Sequence, residues 1–331
     1  MTAVFLTHTP EALANYYGDR AVAALKALAE VRFNPLGREL EPAELAAAAR
    51  GCEVIVSYRQ TPGTRALFEA LPRLVAFTRC AIDIRNVDVA AASEHGILVT
   101  QASAGFVPAV SEWVIGAMVD LGRRLSACTE AYHAGRVPAA VMGRQLHGST
   151  IGVIGYGQIG RGLCELALAL GMRVLVADPH ATVADPRIRQ CALEALLPES
   201  DFVVCLAVAT DATENLMDAA AFAAMRPGAF FVNASRGNLV DERALERALD
   251  EGRLAGCALD VGRAPDQMPT PALARHPKVI ATPHTAGLTQ PAIEHQSLET
   301  VAQVAEILQG RAPRGAVNAV HATRLARLAG Q

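Results

Sequence analysis

The sequence predicts an α/β protein of two domains, each built on a doubly wound parallel sheet. Three observations predict it. At 331 residues the chain exceeds one ordinary domain of ~100–200 residues and suits two. Hydrophobic residues make up 51% of it and aromatic ones only 5%, an Ala-, Val- and Leu-rich composition that suits helices packed on both faces of a parallel sheet. Short apolar runs also alternate with helix-length segments, the pattern of βαβ units.

The alternation falls into two series. The first predicts strands near Val4–Leu6, Val54–Ser57, Leu74–Phe77 and Ile97–Val99. A long apolar segment without proline, Ser111 to Ala127, then reads as a helix bridging the domains. The second series starts at Ser149 and predicts strands near Ile151–Ile154, Val174–Ala177, Phe202–Leu206, Phe230–Asn233, Cys257–Asp260 and Val279–Ala281. Six strands with helix-length spacers complete a doubly wound sheet by themselves. The helical pattern from Ile293 to Leu308 therefore belongs with the first sheet. This makes the first domain discontinuous, 1–100 plus 288–331, around an inserted domain of residues 101–287.

Composition excludes several function classes. With 30 basic and 33 acidic residues the formal charge is −3, and no long Lys/Arg run is present to track a phosphate backbone, so no nucleic-acid partner is expected. The seven cysteines, Cys52, Cys80, Cys128, Cys164, Cys191, Cys205 and Cys257, are scattered singly without CxxC spacing. That pattern argues against a disulfide framework or a metal site, and for a reducing compartment. Residues Met1 to His8 lack a basic leader and a long apolar core, so they read as a first strand rather than a signal peptide. No apolar run reaches the ~18 residues of a membrane span. A cytoplasmic location without a membrane partner is expected.

One motif carries cofactor chemistry. The strand at Ile151–Ile154 runs directly into Gly155-Tyr156-Gly157-Gln158-Ile159-Gly160, and a helical pattern follows from Arg161 to Leu170. GxGxxG is weak evidence alone. Between a strand and a helix, its glycines permit a tight turn and close approach of the backbone to a pyrophosphate at the helix N-terminus. The next strand ends in Asp178, eighteen positions beyond Gly160, where a carboxylate accepts the adenosine ribose hydroxyls and repels a 2′-phosphate. NAD is the expected cofactor.

Further motifs follow in order: Ala177-Asp178-Pro179, then Met225-Arg226-Pro227-Gly228-Ala229-Phe230-Phe231-Val232-Asn233-Ala234-Ser235-Arg236-Gly237, then Ala258-Leu259-Asp260-Val261, then Thr282-Pro283-His284-Thr285-Ala286-Gly287. With these, the chain from about Arg79 to Asn318 resembles the D-isomer-specific 2-hydroxyacid dehydrogenases, the family of D-lactate, D-glycerate and 3-phosphoglycerate dehydrogenases. The resemblance implies a Rossmann cofactor domain inserted into a discontinuous flavodoxin-like substrate domain. It also implies hydride transfer between NAD and a small D-2-hydroxy or 2-oxo acid, and a homodimer paired through the cofactor domain near the Ser111–Ala127 helix.

Such a reaction needs a cation to hold the substrate carboxylate and polarise its carbonyl, and a group to exchange the hydroxyl proton. Arg236 and His284 fit, each following a strand at the carboxyl edge of the sheet. The resemblance implies cofactor contacts from Gly155, Tyr156, Gly157, Gln158, Ile159, Gly160, Asp178, Ala207, Val208, Thr213, Ala234, Arg236, Asp260, His284 and Gly287, with Asp260 on the carboxamide. Substrate contacts are implied for Ile82, Asp83, Arg236 and His284.

Two departures stand out. The family's Glu that hydrogen-bonds the catalytic histidine and fixes its tautomer is absent from Asp260-Val261-Gly262-Arg263-Ala264-Pro265-Asp266-Gln267-Met268-Pro269. Alignment on Pro269 puts Asp266 in its place with one inserted residue, and Asp266 is the expected partner of His284. In Arg79-Cys80-Ala81-Ile82-Asp83-Ile84-Arg85-Asn86, Asp83 stands where the family has a glycine whose turn binds the substrate carboxylate. Asp83 either turns away to pair with Arg79 or Arg85, or serves a substrate bearing a donor or positive group. These departures leave open an NADH-sensing, corepressor-like binding protein on the same fold, or an enzyme for a different acid, as in the phosphite and formate dehydrogenases that share these motifs; formate is disfavoured because its enzymes carry other signatures around the histidine.

Overall fold

In the computed structural model, which describes residues 2–329, the chain separates into two units. One comprises the residues up to Phe106 and those from Leu288 onward, the other Val107–Gly287. Met1, Gly330 and Gln331, placed with the first domain from sequence, lie outside the described residues.

The first unit carries β1 (Ala3–Leu6), β2 (Glu30–Phe33), β3 (Val54–Ser57), β4 (Ala76–Arg79) and β5 (Leu98–Gln101). They form one parallel sheet in the order β2-β1-β3-β4-β5. Side chains alternate across a strand. Val4, Leu6, Val54 and Val56 therefore pack on one face with Val301, Val304 and Ile307, while Ala3, Phe5, Ile55 and Phe77 pack on the other with Leu45, Leu67 and Phe68. Both faces are covered, which is why these strands read as unbroken apolar runs. Burying each large side chain contributes about 1.5–3 kcal/mol relative to exposure. The helix Gln290–Ile307 returns to this unit and supplies part of that core. The edge strand β2, Glu-Val-Arg-Phe with alternating exposure, lacks an apolar run and was not legible. The strand expected at Leu74–Phe77 runs Ala76–Arg79 and that at Ile97–Val99 runs Leu98–Gln101, because the first apolar residues fill the core ahead of the ladder.

The second unit carries β6 (Thr150–Ile154), β7 (Arg173–Ala177), β8 (Ile188–Gln190), β9 (Phe202–Cys205), β10 (Ala229–Asn233), β11 (Leu254–Leu259) and β12 (Val279–Ala281). Its parallel sheet has the order β12-β11-β10-β9-β6-β7-β8. The strand beyond the six expected is β8, a three-residue edge too short and polar to show as a run. The helix expected over Ser111–Ala127 as a bridge runs Val107–Arg123, belongs to this unit and packs on the helix Gln158–Ala169. It stops because Arg124 turns left-handed (φ 57) and a second helix, Leu125–His133, begins. Neither Gly nor Pro marks that break. Asp120 makes it, its carboxylate accepting the Ser126 N–H at 2.8 Å.

Candidate active site

In the second unit the strand order reverses between β6 and β9, the switch point outside which open α/β sheets bind ligands. Gly155 follows β6 with φ +98, and a Cβ there would lie 2.7 Å from the Ala207 main-chain nitrogen. Only glycine lets the loops after β6 and β9 approach this closely. Gly157 caps the twelve-residue helix Gln158–Ala169, and nothing lies within 4 Å of where its Cβ would be. A helix N-terminus facing open space is suited to a pyrophosphate.

Asp178 follows β7. Its Oδ2 accepts the Tyr156 N–H at 2.7 Å, and its Oδ1 accepts those of His180 and Ala181 at 2.8 and 3.1 Å. Burial pushes the Asp178 carboxyl up, but the N–H groups of Tyr156, His180 and Ala181 outweigh it and its pKa is lowered. A carboxylate offers about four acceptor positions, so capacity remains for a ribose hydroxyl. The cradle over Gly157 and this ionised Asp178 fit NAD.

The turn bearing Arg236 is built from the end of β10. Asn233, 1% exposed, accepts the Ser235 N–H at 3.1 Å and donates to the Arg236 carbonyl at 2.9 Å. Ser235 Oγ donates to the Ala207 carbonyl at 2.6 Å, tying this turn to the loop after β9. The Arg236 guanidinium donates to the Ser235 carbonyl at 2.8 Å. Gly237 abuts the neighbouring loop so tightly that a Cβ would lie 2.0 Å from the Gly262 carbonyl oxygen.

His284 sits in the next turn of the same edge. Asp260, buried after β11, accepts from Thr282 Oγ1 at 2.6 Å and from the main-chain N–H groups of Thr285 and Ala286 at 2.8 and 2.9 Å. These bonds wrap residues 282–286 around the carboxylate and hold His284 at φ +57. A left-handed non-glycine residue costs on the order of 1–3 kcal/mol and persists only where its surroundings over-determine it. The Asp260 carboxylate, expected on the carboxamide, is engaged by this turn.

His284 Nδ1 lies 2.8 Å from the main-chain oxygen of Asp266. A carbonyl only accepts, so Nδ1 carries a proton and Nε2 is left to exchange one. This corrects the expected carboxylate contact: Asp266 meets His284 through its backbone. The inserted residue explains it, because Asp266 and Gln267 are both left-handed (φ 56 and 59), and that turn aims the carbonyl at the imidazole.

Of the remaining residues, Ala207, Val208 and Thr213 share the loop after β9, where Thr213 Oγ1 donates to the Val208 carbonyl at 2.8 Å. The Ala234 N–H meets the Cys205 carbonyl at 3.4 Å, and Gly287 ends the unit. In the first unit, Ile82 and Asp83 follow β4. Asp83 pairs with Arg85 through both carboxylate oxygens, at 2.6 Å to Nη2 and 3.0 Å to Nε. Arg79 is buried and donates to the Thr61 carbonyl and Asn86 Oδ1, at 2.9 and 2.6 Å. Sequence reasoning missed the supporting Asn233, Gln267 and Thr282. Asn233 and Thr282 lie inside the quoted motifs, and Gln267 lies in the quoted segment from Asp260 to Pro269, where no pattern singles it out. Among the described residues no cluster of three or more His, Cys, Asp or Glu could hold a metal, and no helix is long and apolar enough to cross a membrane.

A family profile described as "D-isomer specific 2-hydroxyacid dehydrogenase, NAD binding domain" matches residues 115–286. The chain is 32% identical over 305 residues to the (S)-sulfolactate dehydrogenase of Chromohalobacter salexigens, covering 91% of this chain and 98% of that one. It is 33% identical over 286 residues to D-3-phosphoglycerate dehydrogenase 3, chloroplastic, of Arabidopsis thaliana, covering 85% of this chain and 49% of that one. It thus spans about half the length of the plant enzyme. Among solved structures, D-lactate dehydrogenase from Aquifex aeolicus complexed with NAD and lactic acid matches with a TM-score of 0.77 and 26% identity, over 93% of this chain and 96% of that one.

Proposed function

The chain belongs to the D-isomer specific 2-hydroxyacid dehydrogenases, and from that premise we propose how its own residues carry the reaction. It is an NAD-dependent oxidoreductase acting on the CH–OH group of a small D-2-hydroxy acid, or on the matching 2-oxo acid in reverse. The relatives are dehydrogenases and reductases, and the sensing alternative finds no support among them. Arg236 pairs with the substrate carboxylate and polarises the carbonyl. His284 Nε2 gives or takes the hydroxyl proton. NAD, when bound, accepts or supplies the hydride. The observation that supports these roles most is the His284 Nδ1 contact with the Asp266 carbonyl at 2.8 Å, which leaves Nε2 for the substrate. Steady-state turnover of NADH with a panel of 2-oxo acids tests the reading. Turnover is expected, and NADH binding by fluorescence without turnover would return the chain to the sensing alternative.

Ile82 and Asp83 are proposed to hold the substrate carboxylate through main-chain N–H groups. Support comes from the pairing of the Asp83 carboxylate with Arg85, which offsets its charge. A bare carboxylate ~5 Å from a substrate anion would repel it by about 3 kcal/mol at an effective dielectric of ~20. Asp83→Gly is therefore expected to change kcat/KM for pyruvate or glyoxylate by less than about tenfold. A gain of a hundredfold would show Asp83 excluding simple acids.

A homodimer is proposed on the second unit. Its support is a run of exposed apolar side chains just after the Val107–Arg123 helix: Leu125, Tyr132, Val137, Val141 and Met142, the last 97% exposed. Exposed apolar side chains gathered in one stretch of chain cost solubility unless covered. Trp113 packs on the core of its own unit, and the interface is proposed to run from the end of the Ser111–Ala127 segment, at Leu125, to Met142. A dimer mass by light scattering at micromolar concentration is expected, and a monomer mass would remove the proposal. The cytoplasm is proposed as the compartment, in keeping with seven scattered free cysteines.

A further inference from the structure

We propose that Gln267 is the positioning residue of the proton-transfer centre, bracing the turn that carries Arg236 against the loop whose carbonyl holds His284. The inference rests on the roles given above to Arg236 and His284. The loop from Gly262 to Met268 closes on itself: the Gln267 carbonyl accepts the Gly262 N–H at 2.8 Å and the Met268 carbonyl accepts that of Ala264 at 3.0 Å. Within it, Pro265 and Asp266 are exposed while Gln267 is half-buried. Its side chain turns to the neighbouring turn, where Oε1 accepts the N–H of Gly237, the residue after Arg236, at 3.1 Å. One residue therefore bonds the loop through its main chain and the Arg236 turn through its side chain.

The geometry makes this bond consequential. Asp266 and Gln267 are consecutive left-handed residues, a conformation that non-glycine residues hold only under external constraint. The Asp266 carbonyl aims at His284 Nδ1 only while that conformation persists. Arg236 and His284 must address groups on adjacent carbons of one small substrate, so a shift of either turn against the other misaligns the carboxylate and the proton, and a misplacement of ~1 Å can cost about a hundredfold in rate. The absence of a glutamate beside His284 is met here by this braced backbone carbonyl.

The test is a series at position 267 with 2-oxo acid reduction and NADH binding measured separately. Gln267→Leu keeps the shape and loses the acceptor. Gln267→Gly loses the same acceptor in a residue that the left-handed φ favours, so it guards against a folding failure of the first. Both are expected to lower kcat about 10- to 50-fold with the NADH dissociation constant within about twofold, and Gln267→Glu, which restores an acceptor, to recover to within about threefold of the parent. Leu and Gly variants with kcat within twofold of the parent, a Glu variant as slow as Leu, or kcat falling in step with NADH affinity would each overturn the role. If an imidazole-free variant at position 284 keeps full activity, the proton-transfer reading itself fails. If that variant is inactive and the Gln267 series is not, this inference alone fails.

Discussion

Replacing His284 with Asn should lower kcat for 2-oxo acid reduction at neutral pH by roughly 10²–10⁴-fold, the usual contribution of a positioned general acid, while the NADH dissociation constant stays within about threefold. Asn is the informative substitution. The site requires φ +57, and Asn is among the non-glycine residues that adopt the left-handed region most readily. Its amide can still donate to the Asp266 carbonyl that now holds Nδ1 at 2.8 Å. The turn around Asp260 should survive, because its bonds come from Thr282, Thr285 and Ala286 rather than from the imidazole. What is lost is a group that can carry the proton at Nε2. Single-turnover reduction measured beside NADH fluorescence separates chemistry from binding, and a variant within fivefold of the parent would place the proton elsewhere.

The second large effect expected is cofactor choice: kcat/KM with NADH should exceed that with NADPH by about 30- to 100-fold. A 2′-phosphate would sit beside the Asp178 carboxylate, and like charges ~5 Å apart repel by about 3 kcal/mol at an effective dielectric of ~20, less where water screens the half-exposed side. Burial works against the charge of Asp178, but the N–H groups of Tyr156, His180 and Ala181 outweigh it and lower its pKa. The carboxylate therefore stays ionised through the ordinary Asp range, and the preference should persist at every pH above that range. It should weaken only as pH falls through the lowered value, where the carboxyl takes up a proton. Asp178→Ala should bring the two cofactors to within about fivefold of each other, and equal kcat/KM values for the parent would remove Asp178 from the discrimination.

Particular residues show what kind of information the sequence held. Gly155 to Gly160, Asp178, Arg236 and His284 were legible because each follows an apolar strand, and a parallel sheet delivers whatever follows its strands to one edge. The edge strands β2 and β8 were not, since a strand covered on one side has no need of an apolar run. The break at Arg124 was hidden because Asp120 caps the next helix with a side chain rather than a Gly or Pro signal.

By itself the sequence determined the fold class, most of the strands and the glycine loop that follows β6, because hydrophobic periodicity and glycine spacing are local properties of the chain. Only the tertiary structure decided which atoms of these residues meet. It is the Asp266 carbonyl that meets His284, Asp260 that wraps the histidine turn, Arg85 that pairs with Asp83, and Gln267 that reaches Gly237. Those partners are chosen by backbone torsions such as the left-handed pair at 266–267, which arise only once neighbouring loops are packed against each other and which residue type alone does not specify.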